Sequence, residues 1–295
     1  MMTDYFLYVF NQKNTGSKPT ILGLDQLAEY IVDGGDKPAD ISIYTVSSMD
    51  PSGLKAALYQ SSISEGFDYC LLAKSQMYGP FKLAVFDMDS TLIPIEVIDE
   101  LAVQAGVGDE VASITESAMR GELDFNQSLE QRVKQLKGLS RQAIGSVISQ
   151  LEFNPGVESF CQYFVEQGGD IAIASGGFMP FAEELARRLP FIQVKANRLV
   201  YGNKALTGEV EYPIVNAEVK ANSLTEWALD RGLSAQQCLA VGDGANDLKM
   251  LQQAGIGIAF RAKPTLARSA DCVLNLGYLD SLVKLLPIIE QQHQT

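Results

Sequence analysis

Apolar and polar positions along this chain follow two rhythms. From Leu83 onward, apolar runs of strand length are separated by longer segments with helical spacing. Leu83-Ala84-Val85, Asp170-Ile171-Ala172-Ile173-Ala174, Cys238-Leu239-Ala240-Val241, Ile256-Gly257-Ile258-Ala259-Phe260 and Cys272-Val273-Leu274 are brief, mostly apolar and β-compatible. Strands covered on both faces look like this. Between the first two runs, Val157, Phe160, Cys161 and Phe164 recur at helical spacing, opened by Asn154-Pro155-Gly156 and closed by Gly168-Gly169. Strand and helix in alternation predict an α/β fold built on a doubly wound parallel sheet, within a unit spanning 81–295.

Two stretches interrupt the alternation. Residues 97–105, 110–119, 125–136 and 140–151 read as consecutive amphipathic helices with no strand among them. Residues of about 93–153 are thus expected to form a helical cap over the carboxyl ends of the strands, where it excludes water. Residues of about 197–212 read as a small hairpin turning at Gly202-Asn203. Ahead of all this, residues 1–80 read as a small α/β domain of their own. Its strands fall at 5–10, 41–46 and 67–72, and its helices at 24–32, stopped by Gly34-Gly35, and from Asp50-Pro51-Ser52 to about 64. A linker at 75–80 ends in Gly79-Pro80. This unit carries no charged cluster or glycine loop. It reads as structural, as a self-association surface for a homodimer, or as regulatory.

Composition narrows the function. The 295 residues are 46% hydrophobic and carry a net charge of −13, enough core for one large or two ordinary domains. That charge argues against a nucleic-acid surface and against binding an anionic membrane. It also means that an anionic substrate needs a local cation. The start of the chain lacks the basic residues of a signal peptide, and no apolar run approaches a membrane span, so a cytoplasmic protein is expected. Cys70, Cys161, Cys238 and Cys272 are far apart and form no CxxC pair, so four buried thiols are expected. The one histidine, His293, is expected to fray with the terminus, which leaves acid–base chemistry to carboxylates, lysine or tyrosine.

Four strand ends or helix starts deliver polar residues. The first gives Phe86-Asp87-Met88-Asp89-Ser90-Thr91, with two carboxylates at the carboxyl end of a buried strand, where open α/β sheets hold their ligands. Like charges two residues apart gain little from folding alone; a cation, a proton or covalent chemistry gives a reason for them. The second is Ser175-Gly176-Gly177-Phe178, whose glycines let backbone N–H groups approach an anion ahead of a helix from about 180. The third is Lys220, in the first turn of a helix. The fourth is Gly242-Asp243-Gly244-Ala245-Asn246-Asp247. Taken singly, these are a cap, a turn, a solvated lysine and a common loop. Taken in this order, each at the end of a buried element, they meet the joint test for a site.

The set DxDST, SGG, Lys and GDGxND resembles the haloacid dehalogenase-like phosphohydrolases, and within them the phosphatases of O-phospho-L-serine, over about residues 82–285. Glu96, nine residues after Asp87, and Phe125 and Arg132 in the helical insertion extend the resemblance. It implies a Rossmann-like core and hydrolysis of O-phospho-L-serine, the last step of serine biosynthesis. Asp87 would be the nucleophile, forming an aspartyl-phosphate, and Asp89 the general acid and base. Mg²⁺ would be held by Asp87, Asp243 and the backbone carbonyl of Asp89, with Asp247 behind them. Ser175, Gly176, Gly177, Lys220 and Asn246 would hold the phosphoryl oxygens, Glu96 the substrate ammonium and Arg132 its carboxylate, and Phe125 would pack on the carbon chain. Another small phosphomonoester, transfer to an acceptor other than water, and a binding protein without turnover are the competing readings.

Overall fold

The structure, a computed structural model, describes residues 2–13, 19–20, 40–76 and 78–293, together with the backbone of 28–29. In chain order the strands are β1 (Thr3–Phe10), β2 (Ala28–Glu29), β3 (Ile41–Ser48), β4 (Asp68–Ala73), β5 (Leu83–Phe86), β6 (Asp170–Phe178), β7 (Phe191–Asn197), β8 (Leu199–Tyr201), β9 (Leu206–Val210), β10 (Cys238–Gly242), β11 (Ile256–Phe260) and β12 (Cys272–Leu274). The helices are α1 (Pro51–Glu65), α2 (Val97–Ala105), α3 (Gly108–Met119), α4 (Phe125–Gln135), α5 (Arg141–Ile148), α6 (Val157–Glu166), α7 (Met179–Arg188), α8 (Ala217–Leu229), α9 (Leu248–Gln253), α10 (Pro264–Ala267) and α11 (Ser281–His293). Among the described residues, no helix is long and apolar enough to cross a membrane.

The parallel core has the order β12-β11-β10-β5-β6-β7. The chain leaves β5 toward β6 and β7, then returns to build β10, β11 and β12 on the other side. The strand order therefore reverses between β5 and β10, and a crevice opens there at their carboxyl ends. Every residue of β5, β10 and β11 is buried, which is why these strands read as unbroken apolar runs.

The four cap helices lie where the spacing predicts them, between β5 and α6. Asn154 ties the two crossings of the cap together: its N–H donates to Leu92 O at 2.7 Å and its Nδ2 to Thr91 O at 2.8 Å. The β8–β9 hairpin braces the cap from the core side, with Gly138 N–H donating to Leu206 O and Leu206 N–H to Leu139 O, each at 2.9 Å. Core and cap share one apolar cluster, in which Leu92, Leu101, Leu129 and Val133 join Phe86 and Phe160.

Strands β1 to β4 extend the same sheet, because β4 pairs antiparallel with β12 through Cys70 opposite Cys272 and Tyr69 opposite Val273. The ten strands then run β2-β3-β1-β4-β12-β11-β10-β5-β6-β7. One face of β1 packs in the cluster that contains Leu282, Leu285, Leu286 and Ile289 of α11; the other packs with Leu54 and Leu58 of α1. Asp68 fastens this junction. Fully buried, it accepts N–H bonds from Asn275, Leu276 and Gly277 at 2.7, 3.0 and 2.8 Å, and another from Asn11 Nδ2 at 2.9 Å.

Two expectations need correction or limits, and two elements went unread. His293 does not fray: it is buried, its Nδ1 lies 2.8 Å from Gln76 O, and its ring packs edge-on against Phe6 and Tyr78. The helix expected at 24–32 lies mostly outside the described residues, and Ala28–Glu29 within it pair as a strand with β3. The apolar runs missed β7, an edge strand with only two buried residues. They also missed α11, whose stripe of Leu282, Leu285, Leu286 and Ile289 continues past Pro287. The four cysteines are free and buried, as expected.

Candidate active site

Asp87 follows the last residue of β5, and its N–H donates to Val241 O of β10 at 2.9 Å. That bond sets the first acidic residue beside the loop that carries Asp243. The chain then folds back at once: the N–H groups of Leu92 and Ile93 both reach Met88 O, at 2.9 and 3.1 Å. This tight return places Asp89 next to Asp87 and brings Glu96, at the start of α2, to the same crevice.

Lys220 reaches the crevice from behind. Asn216 caps α8 by accepting from the N–H groups of Glu218 and Val219, which fixes the first turn and the lysine in it. Its Nζ lies 2.7 Å from Asp87 Oδ1 and 2.7 Å from Asp247 Oδ1, with no exposure to solvent. Burial alone would lower its pKa, but the carboxylates of Asp247 and Asp87 outweigh burial and hold it above the ordinary lysine value. Asp247 uses its other oxygen to accept from the N–H groups of Asp243 and Gly244, at 3.2 and 3.1 Å. It therefore shapes the loop that presents Asp243.

The carboxylates suit a cation. One oxygen each from Asp87, Asp243 and Asp247 lie within 4.8 Å of one another. Asp243 has no ion-pair partner among the described residues. Burial first, then the charges of Asp87, Asp247 and Glu96, push its carboxyl up to about 8. A bound cation would remove that penalty, and an all-oxygen donor set fits a hard divalent ion. Asp89 is held well above the ordinary carboxylate range, by burial and then by the charges of Glu96 and Asp87. Its Oδ1 is buried with no hydrogen-bond partner among the described residues.

Ser175 to Phe178 continue β6 up to the helix expected after them, and the register against β7 shifts between Ala174 and Phe178. The glycines occupy this bulge, and α7 begins only at Met179. A Cβ on Gly177 would lie 2.6 Å from Asp89 Oδ2, and one on Gly176 would lie 2.8 Å from the Phe125 ring. A side chain at either position would push Phe125 or Asp89 aside, so glycine permits the close approach seen here. Ser175 is fully buried, with its Oγ accepting the Gly177 N–H at 2.9 Å.

Above these groups lies a cavity of about 710 Å³ between cap and core. Asp87, Asp89, Asp243, Gly176, Gly177 and Asn246 form its floor, and Glu96, Phe125 and Arg132 reach it from the cap. Ser175, Lys220 and Asp247 stand behind this lining, and Lys220 meets it through Asp87. The half-buried Arg132 donates Nε to Ser128 O at 3.3 Å, and no carboxylate pairs with its guanidinium among the described residues. Burial lowers its pKa, which Asp99, Glu96 and Asp89 oppose. The motifs missed Asp99 and Lys263, which also line the cavity. Lys263 sits just past the carboxyl end of β11, with its N–H on Asp243 O at 2.9 Å, so the strand-end rule that found the others also points to it.

The sequence pattern of the haloacid dehalogenase-like hydrolases matches residues 84–252. A probable phosphoserine phosphatase from Schizosaccharomyces pombe is 44% identical over 242 residues, 81% of either chain. A substrate-bound phosphoserine phosphatase superposes with a TM-score of 0.66 at 37% identity, covering 70% of this chain and 99% of that one. An unliganded probable phosphoserine phosphatase from Vibrio cholerae superposes with a TM-score of 0.72 at 30% identity, covering 99% and 88%, so its likeness reaches into β1–β4. With the acidic floor, the buried lysine and the helical cap in one place, and with more than half the chain matched, this protein belongs to the haloacid dehalogenase-like hydrolases.

Proposed function

We propose that this chain is a phosphatase that hydrolyses O-phospho-L-serine to serine and phosphate, with Mg²⁺ as its ion. One observation carries the choice of substrate. A single cavity presents three kinds of group at once: an acidic floor backed by a buried lysine, the Arg132 guanidinium without a carboxylate partner, and the Glu96 carboxylate. A phosphate, a carboxylate and an ammonium on one small molecule answer these in turn. The family membership and the relatives named above support the same reading.

Asp87 Oδ1 is occupied by Lys220 and by the Met88 N–H at 2.7 Å, which leaves Oδ2 to attack phosphorus. The P–O bond to serine breaks as the new P–O bond to Asp87 forms, and Asp89 gives its proton to the departing serine oxygen. Serine leaves, and a water takes its place. Asp89, now ionised, accepts a proton from that water as it attacks phosphorus, which releases phosphate and restores both carboxyl groups. Asp89 is suited to start as the acid because burial and the charges of Glu96 and Asp87 favour its protonated form. Asp87 and Asp243 would hold Mg²⁺, with the Asp89 carbonyl, and the ion would neutralise phosphoryl charge. Lys220, the Gly176 N–H and Asn246 would stabilise the phosphoryl oxygens, while the Gly177 N–H holds Ser175 Oγ, and Phe125 lies over Gly176.

The test is phosphate release from O-phospho-L-serine and from a panel of other phosphomonoesters, with Mg²⁺ and then with EDTA. Phosphoserine should lead the panel, EDTA should stop release, and Asp87→Asn should abolish it. A flat substrate profile, insensitive to Arg132→Ala, would refute the choice of substrate; wild-type turnover by Asp87→Asn would refute the covalent route.

A further inference from the structure

Ser90 holds a left-handed backbone, with φ 57°, one of three non-glycine residues at positive φ among those described. An L side chain is disfavoured there by about 1 kcal/mol, and glycine is not. The loop itself needs only the backbone of this position: the Ser90 N–H donates to Ile95 O at 3.2 Å, which closes the return from β5 to α2. The side chain does something else. Its Oγ donates to Glu96 Oε1 at 2.8 Å.

Glu96 is unusual in its own way. It occupies the N-cap position of α2, yet its carboxylate makes no bond to the first turn of that helix. One oxygen is tied to Ser90, and the other has no hydrogen bond among the described residues. Burial raises the Glu96 pKa, and the Ser90 bond opposes this rise, so the hydroxyl favours the charged form as well as the orientation. A glutamate with free torsions would pay rotamer entropy to meet a ligand; this one is already placed.

We infer that Ser90 is a positioning residue for substrate choice: its hydroxyl holds Glu96 so that the free carboxylate oxygen meets an ammonium group on the substrate. The inference rests on the reading of Glu96 given under Proposed function. It explains why a strained position keeps a side chain that the loop does not require.

The experiment compares kcat/KM for O-phospho-L-serine with kcat/KM for 3-phosphoglycerate, which carries a hydroxyl in place of the ammonium. The full-length wild type, Ser90→Gly, Ser90→Ala, Glu96→Gln and the Ser90→Gly/Glu96→Gln double variant are measured, with a melting curve for each. Glu96→Gln should collapse the preference for phosphoserine. Ser90→Gly and Ser90→Ala should each lower it roughly tenfold, the scale of one hydrogen bond to a charged group, through KM for phosphoserine rather than kcat. Ser90→Gly should melt no lower than wild type, and should change nothing further once Glu96 is Gln. If Glu96→Gln lowers the ratio and neither Ser90 variant does, the positioning role is refuted while the ammonium reading stands. If Glu96→Gln leaves the ratio intact, the ammonium reading fails and takes this inference with it. An equal loss on both esters, with a lower melting point, would show Ser90 to be structural only and overturn the inference.

Discussion

Loading Mg²⁺ into the metal-free protein at neutral pH should expel a proton, and most of it should come from Asp243. Burial and three neighbouring carboxylates push this group up to about 8, and no cation pairs with it among the described residues. At pH 7 a group with that pKa is ~0.9 protonated, and at pH 9 only ~0.1, by the ordinary titration relation. A carboxylate must be ionised to bind a metal, so the ion displaces that proton. Calorimetric titration of the EDTA-treated protein with Mg²⁺, in two buffers of different protonation enthalpy, reads the number directly. The heat should depend on buffer at pH 7 with a slope near 0.9 proton, and should become nearly buffer-independent at pH 9. Asp243→Asn should remove most of the pH 7 slope. Identical heats in both buffers at pH 7 would mean that Asp243 is already ionised, and the picture of an acidic cluster left unbalanced by Lys220 would fail.

The same shift has a consequence for folding, with a definite sign. The folded pKa of Asp243 lies above its unfolded value of 3.8, so between about pH 4 and 8 the metal-free native state binds a proton that the unfolded chain does not. The stabilisation is complete below the unfolded pKa and is lost as pH rises through the folded one. Its limiting slope is about 1.4 kcal/mol per pH unit for one fully linked proton. An ion that binds only the folded form and replaces the proton stabilises it more where the proton is already weakly held, so the rise in melting temperature on adding Mg²⁺ should be larger at pH 8 than at pH 6.

Three further outcomes are expected. Lys220→Met leaves Asp87 and Asp247 buried without their cation, and should cost about 3–5 kcal/mol in urea unfolding at pH 8 and about 10²-fold or more in turnover. Arg132→Ala should raise KM for phosphoserine about 10²-fold, the scale of a two-point bond to a carboxylate, and should change KM much less for an ester with no carboxylate. Asp68→Ala strips the acceptor from three backbone N–H groups and Asn11, and should cost about 3 kcal/mol in urea unfolding with KM little changed, because Asp68 lies at the β4–β12 junction.

The site was readable where it hangs on strands buried from both sides. Such strands are apolar without interruption and stop abruptly, so the first polar residues past them, Asp87, Asp89 and Asp243, stand out. Lys220 is different: nothing in its neighbourhood distinguishes a solvated lysine from one buried between two carboxylates 133 and 27 positions away, as the 220–87 and 247–220 separations make them. Its place in the first turn of a helix, taken together with the other three motifs, marked it, and the resemblance gave it a role. Lys263 escaped because two residues of loop separate it from Phe260, and the polar residue nearest the strand end is Arg261. Ser90 escaped for a deeper reason. Its inferred role is a hydroxyl bond to Glu96 made from a left-handed backbone position, and a serine between an aspartate and a threonine gives no sign of either.

The join between residues 1–80 and the rest shows the same limit at the scale of the fold. The elements β1, β3, α1 and β4 were visible in the apolar spacing, and the Gly79-Pro80 pair suggested a boundary. Yet β4 completes an exposed edge of the parallel core, and a ladder of backbone hydrogen bonds can form between any two strands of suitable length. Side-chain pattern says which face of a strand is buried, not which strand lies beside it. What holds the two parts together is drawn from residues with many other uses: an aspartate that accepts four N–H bonds, a stripe of leucines in a helix carrying an internal proline, and a histidine two residues before the last. Each is a common residue type in a position that usually means little. Their roles emerge only when residues 68 and 275–277, or 76 and 293, are brought into contact. In this fold, strand ends announce chemistry locally, while the contacts that seat one part of the sheet against another are long-range and leave almost no local trace.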